Sequence, residues 1–224
     1  MLPSPACPHR RRGAPPGWTA GNWLDGCDAM RRRSSAVWGI TAASLAYATL
    51  RYNVFKGVAW SDWPVFVLNK AIALSSLLLL VAWILRNRRP AEASGAPLLA
   101  AASTLALAHA GLSLIVLTPA YFPAFFEEGR LSWQAGVALA LGVATATRLS
   151  VVARPGHAHL SRLRGLGLIA CAAGCHAALF GYSSWFTPAA WPGHLLPITL
   201  VSFAAGLVGI GAAWSGHAHP PTGR

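Results

Sequence analysis

"PLLAAASTLALAHAGLSLIVLT", residues 97–118, runs for twenty-two residues without an Asp, Glu, Lys or Arg. A helix of that length rises 1.5 Å per residue and crosses roughly 30 Å of hydrocarbon. Lipid offers no hydrogen bonds to the backbone, and a helix satisfies its own. The stretch therefore predicts a transmembrane helix, and it contains one titratable side chain, His109.

Further runs of the same kind lie at 36–53, 64–85, 131–152, 165–186 and 195–214. None shows the short alternation of a barrel strand, about ten residues per crossing. Composition agrees: only 11% of the residues are charged, against about 25% in soluble domains. The expected fold is an all-α integral membrane protein, a bundle of six transmembrane helices over residues 35–214. Residues 1–34, rich in Pro, Gly and Arg, read as a disordered basic tail, and 215–224 as a short C-terminal tail. Met30 before "RRRSS" reads as an alternative translation start, which would leave residues 1–29 as an annotation artefact. A competing reading makes "MRRRSSAVWGITAASLAYA" a signal peptide cleaved after Ala46–Ala48.

Net charge is +12, with eighteen Lys and Arg against six Asp and Glu. The basic residues cluster between apolar runs, as loops of a membrane protein do, and not on a nucleic-acid-binding face. The N-terminal tail, "RNRR" at 86–89, residues 148–164 and the C-terminus together hold fourteen Lys and Arg. That asymmetry predicts both termini in the cytoplasm and a multi-pass protein of the bacterial inner membrane. Trp60, Trp63, Trp133, Trp185 and Trp191 would mark the outer interface, and Trp38, Trp83 and Trp214 the inner one. Cys7, Cys27, Cys171 and Cys175 form neither a disulfide framework nor a zinc pattern; the last two, four apart, read as small core residues. No P-loop, dinucleotide fingerprint, HExxH or Ser–His–Asp set is present, and no room for a nucleotide-binding domain is expected after the last span.

His9, His157, His159, His217 and His219 fall in tails and loops, and His194 at a span end. His109 and His176 remain. They are the thirteenth residue of the third span and the twelfth of the fifth, two spans that run in the same direction. Both imidazoles are thus expected near the bilayer midplane at one depth, on neighbouring helices. Intramembrane ionisable groups are costly and usually functional. Two facing imidazoles suit the axial positions of one haem iron, and Ala106, Ala110, Ala172, Ala173 and Ala177 would leave room for a flat macrocycle. The alternatives are separate hydrogen-bonded histidines, His109 to Ser113 for example, and small residues that only pack helices. Lys70, in "VLNKAIAL", either snorkels outward or pairs with an acidic group of a cofactor, such as a haem propionate or a quinone oxygen.

Six helices, cytoplasmic termini and histidines in helices three and five resemble the ferric reductase-like transmembrane domain. That group includes the membrane parts of ferric reductases and NADPH oxidases and the membrane subunit of a bacterial methionine-sulfoxide reductase system. The resemblance covers residues 36–214. In two-haem members a second histidine lies thirteen or fourteen residues from each of these. Here those positions hold Ala96 or Pro123, and Leu163, Arg162 or Ala190. The resemblance therefore implies one haem b, with His109 and His176 as metal ligands; Lys70 stands beside them as a candidate cofactor contact from the residue reading alone. It implies the membrane subunit of an oxidoreductase, passing electrons across the membrane from a separate flavoprotein or the quinone pool. The competing class is a non-redox multi-pass protein, a small transporter or scaffold, with structural histidines. A di-histidine desaturase or hydroxylase would need clustered HxxxH-type motifs, and only "HAH" at 157–159 and 217–219 comes near.

Overall fold

A computed structural model describes residues 20–88, 96–154 and 159–215, with side chains from Ser34 onward. Six α-helices follow one another: α1 Ala20–Thr49, α2 Leu68–Arg86, α3 Ala96–Ile115, α4 Trp133–Val152, α5 His159–Gly181 and α6 Ile198–Ser215. Five of the helical stretches are long and apolar enough to cross a membrane: Trp60–Arg86, Ala96–Ile115, Trp133–Val152, His159–Phe186 and Pro192–Ser215. The first, α1, carries Arg31, Arg32 and Arg33 within its length and is not among them.

The helix α1 reaches back to Ala20, so residues 20–34 are helical and not the disordered tail expected from their composition. Once Pro16 is passed, nothing in the run forbids a helix. Extension from an established helix adds one hydrogen bond per residue without a new nucleus. Residues 1–19 and 216–224 lie outside the described residues. Ala46–Ala48 stay inside the same helix, and Ala48 is fully buried against Tyr52, Val67, Ala71, Leu74 and Ile198. That core contact places the A-x-A triplet within the bundle.

Successive helices run in alternating directions along the bundle. One end of the bundle carries the links 50–67, 116–132 and 182–197; the other carries the two shorter links and both helix termini. We call them the loop end and the terminal end. At the loop end, π-helical turns at Leu50–Phe55 and Trp63–Val67 flank the first link. Tyr47 Oη and the Arg51 guanidinium donate to the carbonyls of Leu196 and Leu195, tying α1 to the entry of α6. The link between α3 and α4 holds a two-residue hairpin, with Phe126 opposite Leu131 and Glu127 opposite Arg130. Its corner, Glu128–Gly129, has positive φ at both residues (51° and 77°), the geometry that matches strand twist. Ser132 then caps α4, its Oγ accepting from Ala135 N at 3.2 Å.

The helix α2 is central, packing on α1, α3, α5 and α6. Its "LLLLVAWIL" is apolar on every side, which suits burial all round. Leu79, Leu80 and Ile84 are among its fully buried residues. Trp83 belongs to this core as well, one turn from the end of α2, with the Arg162 guanidinium 5.4 Å over its ring, so it is packed inside the bundle and not exposed on its surface. Trp38, Trp60, Trp133 and Trp214 are exposed on the bundle surface. Cys175 is also exposed and Cys171 half-buried, so the pair faces outward and not into the core.

The closest helix pair is α5 with α6, and glycines make the approach possible. A Cβ on Gly206 would lie 2.7 Å from the carbonyl oxygen of Ala170, and one on Gly209 would lie 2.8 Å from the Ala170 Cβ. Backbone on the facing helix cannot move aside. Gly206→Val is therefore expected to destabilise the bundle by about 1–3 kcal/mol through overpacking. Gly211→Val, where a Cβ would meet nothing within 4 Å, is the control. Unfolding midpoints in mild detergent check the contrast; equal midpoints for the two variants would refute it.

Candidate functional site

The helices α3 and α5 carry the two midspan histidines, and they do not pack extensively on each other. The expectation of neighbouring helices needs this correction. Each leans instead on α2 and on α4, which hold them apart. The bulk of α2 and α4 fills the space on either side, and the gap between α3 and α5 is left as a slot.

His109 and His176 face each other across that slot. Their ring centres are 6.3 Å apart and their planes cross at 72°. Each ring is fixed through Nδ1. His109 Nδ1 donates to the Asn69 side-chain oxygen on α2 at 2.8 Å, and Asn69 Nδ2 in turn donates to Ser113 Oγ at 2.9 Å. The same Ser113 oxygen stands 3.5 Å from His109 Nδ1, in reach but longer than the Asn69 contact. His176 Nδ1 donates to the main-chain carbonyl of Ala138 on α4 at 2.8 Å. With both Nδ1 atoms carrying the proton, both Nε2 atoms keep a lone pair. Neither Nε2 has a hydrogen-bond partner among the described residues.

Gly142, one turn beyond Ala138, makes the second arrangement possible. A Cβ there would sit 2.9 Å from His176 Cε1 and 3.2 Å from its Nδ1. The ring lies on the bare patch of α4 that the glycine leaves.

Both histidines line two cavities. The larger, of about 220 Å³, runs from the pair toward the loop end and reaches Asn69, Lys70, Phe122, Phe125 and Phe180. The smaller, of about 80 Å³, runs toward the terminal end between Ser76, Leu80, Thr145 and Ile169. Ala73, Gly142, Ala177 and Ser202 are shared by both, so the two spaces meet at the histidine pair. Of the alanines expected to leave room, Ala110 and Ala177 border the larger cavity, and Ala106, Ala173 and Ala177 the smaller. Ala172 borders neither. Phe125 stacks on Phe180 at 4.2 Å and leans on Phe122 at 5.1 Å, forming an aromatic cover at the loop end.

Lys70 lines the larger cavity from α2. The residue is half-buried, and its side chain extends toward the loop end. Its Nζ stands 4.1 Å from the ring centre of Phe66, 5.5 Å from that of Tyr52 and 5.9 Å from that of Phe122. The aromatic faces attract the ammonium and hold it at the cavity wall.

The donor set can be tested against a shared metal ion. Imidazole nitrogens bind metals at about 2.0–2.1 Å, so two rings on opposite sides of one ion have centres roughly 6–6.5 Å apart. The observed 6.3 Å falls in that interval. Among the described residues no group of three or more His, Cys, Asp or Glu comes together. Two neutral imidazoles and no third ligand match the axial pair of a haem iron, whose other four ligands come from the macrocycle. A tetrahedral zinc site would ask the protein for three or four.

Asn69 and Gly142 were not among the residues picked out from sequence. An amide beside Lys70 in an apolar span was a usable signal for Asn69. For Gly142 there was none, since twenty-two glycines are spread along the chain. No protein-family model matches this chain, and neither a curated protein nor a solved structure does.

Proposed function

We propose that this chain is a haem-binding membrane protein that carries electrons, with His109 Nε2 and His176 Nε2 as the axial ligands of one iron. The observation that carries the reading is the pair itself. Two imidazoles stand at metal-bridging separation, each with Nδ1 engaged and Nε2 unpartnered, in a slot kept open by flanking helices. Bound haem b would supply one-electron chemistry at its iron.

The chain's own residues set the conditions for that chemistry. Asn69 and the Ala138 carbonyl fix the tautomer and tilt of the rings and raise the basicity of the ligating nitrogens. Alanines and Gly142 let a flat group lie close to helix backbone. Phe122, Phe125 and Phe180 line the cavity at its loop end with stacked rings. The apolar outer surface, with Ile115 78% exposed and Leu168 55%, suits a lipid bilayer. Arg86, Arg88, Arg148, Arg154, Arg162 and Arg164 gather at the terminal end, and this supports cytoplasmic termini in a bacterial inner membrane. The electron donor on this reading is a separate flavoprotein or the quinone pool, as in single-haem members of the ferric reductase-like group, with the chain as membrane subunit of an oxidoreductase.

The test is the visible spectrum. Full-length protein expressed with ample haem and purified in detergent is expected to show a Soret band. Reduction should sharpen its low-spin visible bands, at one haem per chain by pyridine haemochromogen assay. A folded, colourless protein that also gives no Soret band on added haemin would refute the proposal. It would leave a non-redox transporter or scaffold in which the Nδ1 hydrogen bonds are purely structural.

A further inference from the structure

The wall of the two cavities is chemically one-sided. Among the described residues lining them there is one Lys or Arg, Lys70, and no Asp or Glu. It stands on the larger cavity, at the loop end. Apart from the two histidines, the smaller cavity is bordered by hydroxyl, methyl and aliphatic groups, with no Lys or Arg among its lining residues. The Lys70 ammonium has three aromatic faces around it and no hydrogen bond or ion pair among the described residues. Lys56 shares the Tyr52 ring, its Nζ 5.8 Å from the ring centre, so a second cation stands close by. A cation in apolar surroundings with no anion calls for one.

The group proposed to sit between the histidines has the complementary asymmetry. A b-type porphyrin is apolar around most of its rim and carries two carboxylates on one edge. A plane standing between His109 and His176 extends into both cavities, because both meet at that pair. We propose that Lys70 is the anchoring cation for a carboxylate of that porphyrin. The acidic edge then faces the loop end and the apolar edge enters the smaller cavity. The proposal rests on the haem reading above and deepens it: it assigns the cofactor's orientation and the residue that sets it. With the acidic edge toward Lys70, Phe122 and Phe125, the rim from which an electron leaves or enters at the loop end is the carboxylate-bearing one.

The test compares two porphyrins on the full-length chain, produced haem-poor and titrated in detergent: haem, and haem dimethyl ester, whose carboxylates are masked. Soret absorbance reports binding of each. The wild-type chain is expected to prefer free haem by roughly 10-fold or more, the scale of a charge-assisted contact away from water. Lys70→Met is expected to bring that preference close to one, while Lys70→Arg keeps it. Low-spin spectra in the variants would show that the histidine pair still ligates. Equal affinity of wild type for the two porphyrins overturns the proposal, whatever becomes of the variants. So does a Lys70→Met chain that keeps the full preference. If neither porphyrin yields a Soret band with wild type, the haem reading itself falls, and the two failures are thereby distinct.

Discussion

His109→Ala and His176→Ala are each expected to abolish the low-spin haem spectrum and to weaken haem binding by about 100-fold or more, since each removes one of two protein ligands. The cost to the fold is smaller. In His109→Ala the Asn69 oxygen loses its donor, and an unpaired buried polar group costs about 1–3 kcal/mol. In His176→Ala the Ala138 carbonyl keeps its place in the backbone of α4. The variants should therefore still purify as monodisperse, helical protein, and added imidazole should restore the spectrum by filling the space left by the side chain. His194→Ala is the control. That residue is exposed on the link before α6, away from the cavities. An unaltered Soret band in either midspan variant would remove His109 and His176 from the ligand set.

The second large effect concerns Asn69, which is 4% exposed, borders the larger cavity and holds His109 through its side-chain oxygen. Asn69→Leu is expected to weaken haem binding by about 10–100-fold, the usual range for partners that orient a ligating histidine. Ser113 Oγ, 3.5 Å from the same Nδ1, is the natural replacement acceptor. Asn69→Leu combined with Ser113→Ala should therefore cost more than the two single changes together, which a double-mutant cycle of haem affinities measures directly. Asn69→Asp tests the electronic side. A charged acceptor makes the ring a stronger donor to iron and should lower the midpoint potential while leaving the low-spin spectrum in place. A potential unchanged in Asn69→Asp would mean that Asn69 merely packs. No parallel substitution exists for His176, whose acceptor is main chain.

The spans were legible because lipid imposes a length and a polarity on any helix that crosses it, and both are written in composition. The stretches 64–85, 97–118, 131–152 and 195–214 each correspond to a described helix within four residues, and 165–186 to α5, which begins six residues earlier and ends five earlier. The matched depth of His109 and His176 was readable by counting, and their rings stand 6.3 Å apart. Contacts made by the backbone were not readable. The Ala138 carbonyl has no sequence signature, and neither does the bare patch at Gly142. The helical run 20–34 was hidden by Gly21, Gly26, Asn22, Asp25 and Asp28, which lower propensity without preventing extension. The separation of α3 from α5 was equally invisible, because it depends on the bulk that α2 and α4 place beside them and not on either helix. Trp83 shows the same limit. A tryptophan near a span end reads as an interface marker, and only packing reveals that Arg162 covers it.

Two helices held apart by their neighbours have a consequence for the protein's life in the cell. Direct contact between α3 and α5 is slight, so on the proposed reading a group bound in the slot would add cohesion to that supplied by α2 and α4. A group that binds only the assembled bundle adds stability in proportion to the logarithm of its concentration over its dissociation constant. On the proposed reading, newly inserted chains made faster than haem arrives would present a loosely closed bundle to membrane proteases. The standing amount of the protein would then follow the haem supply without any transcriptional control.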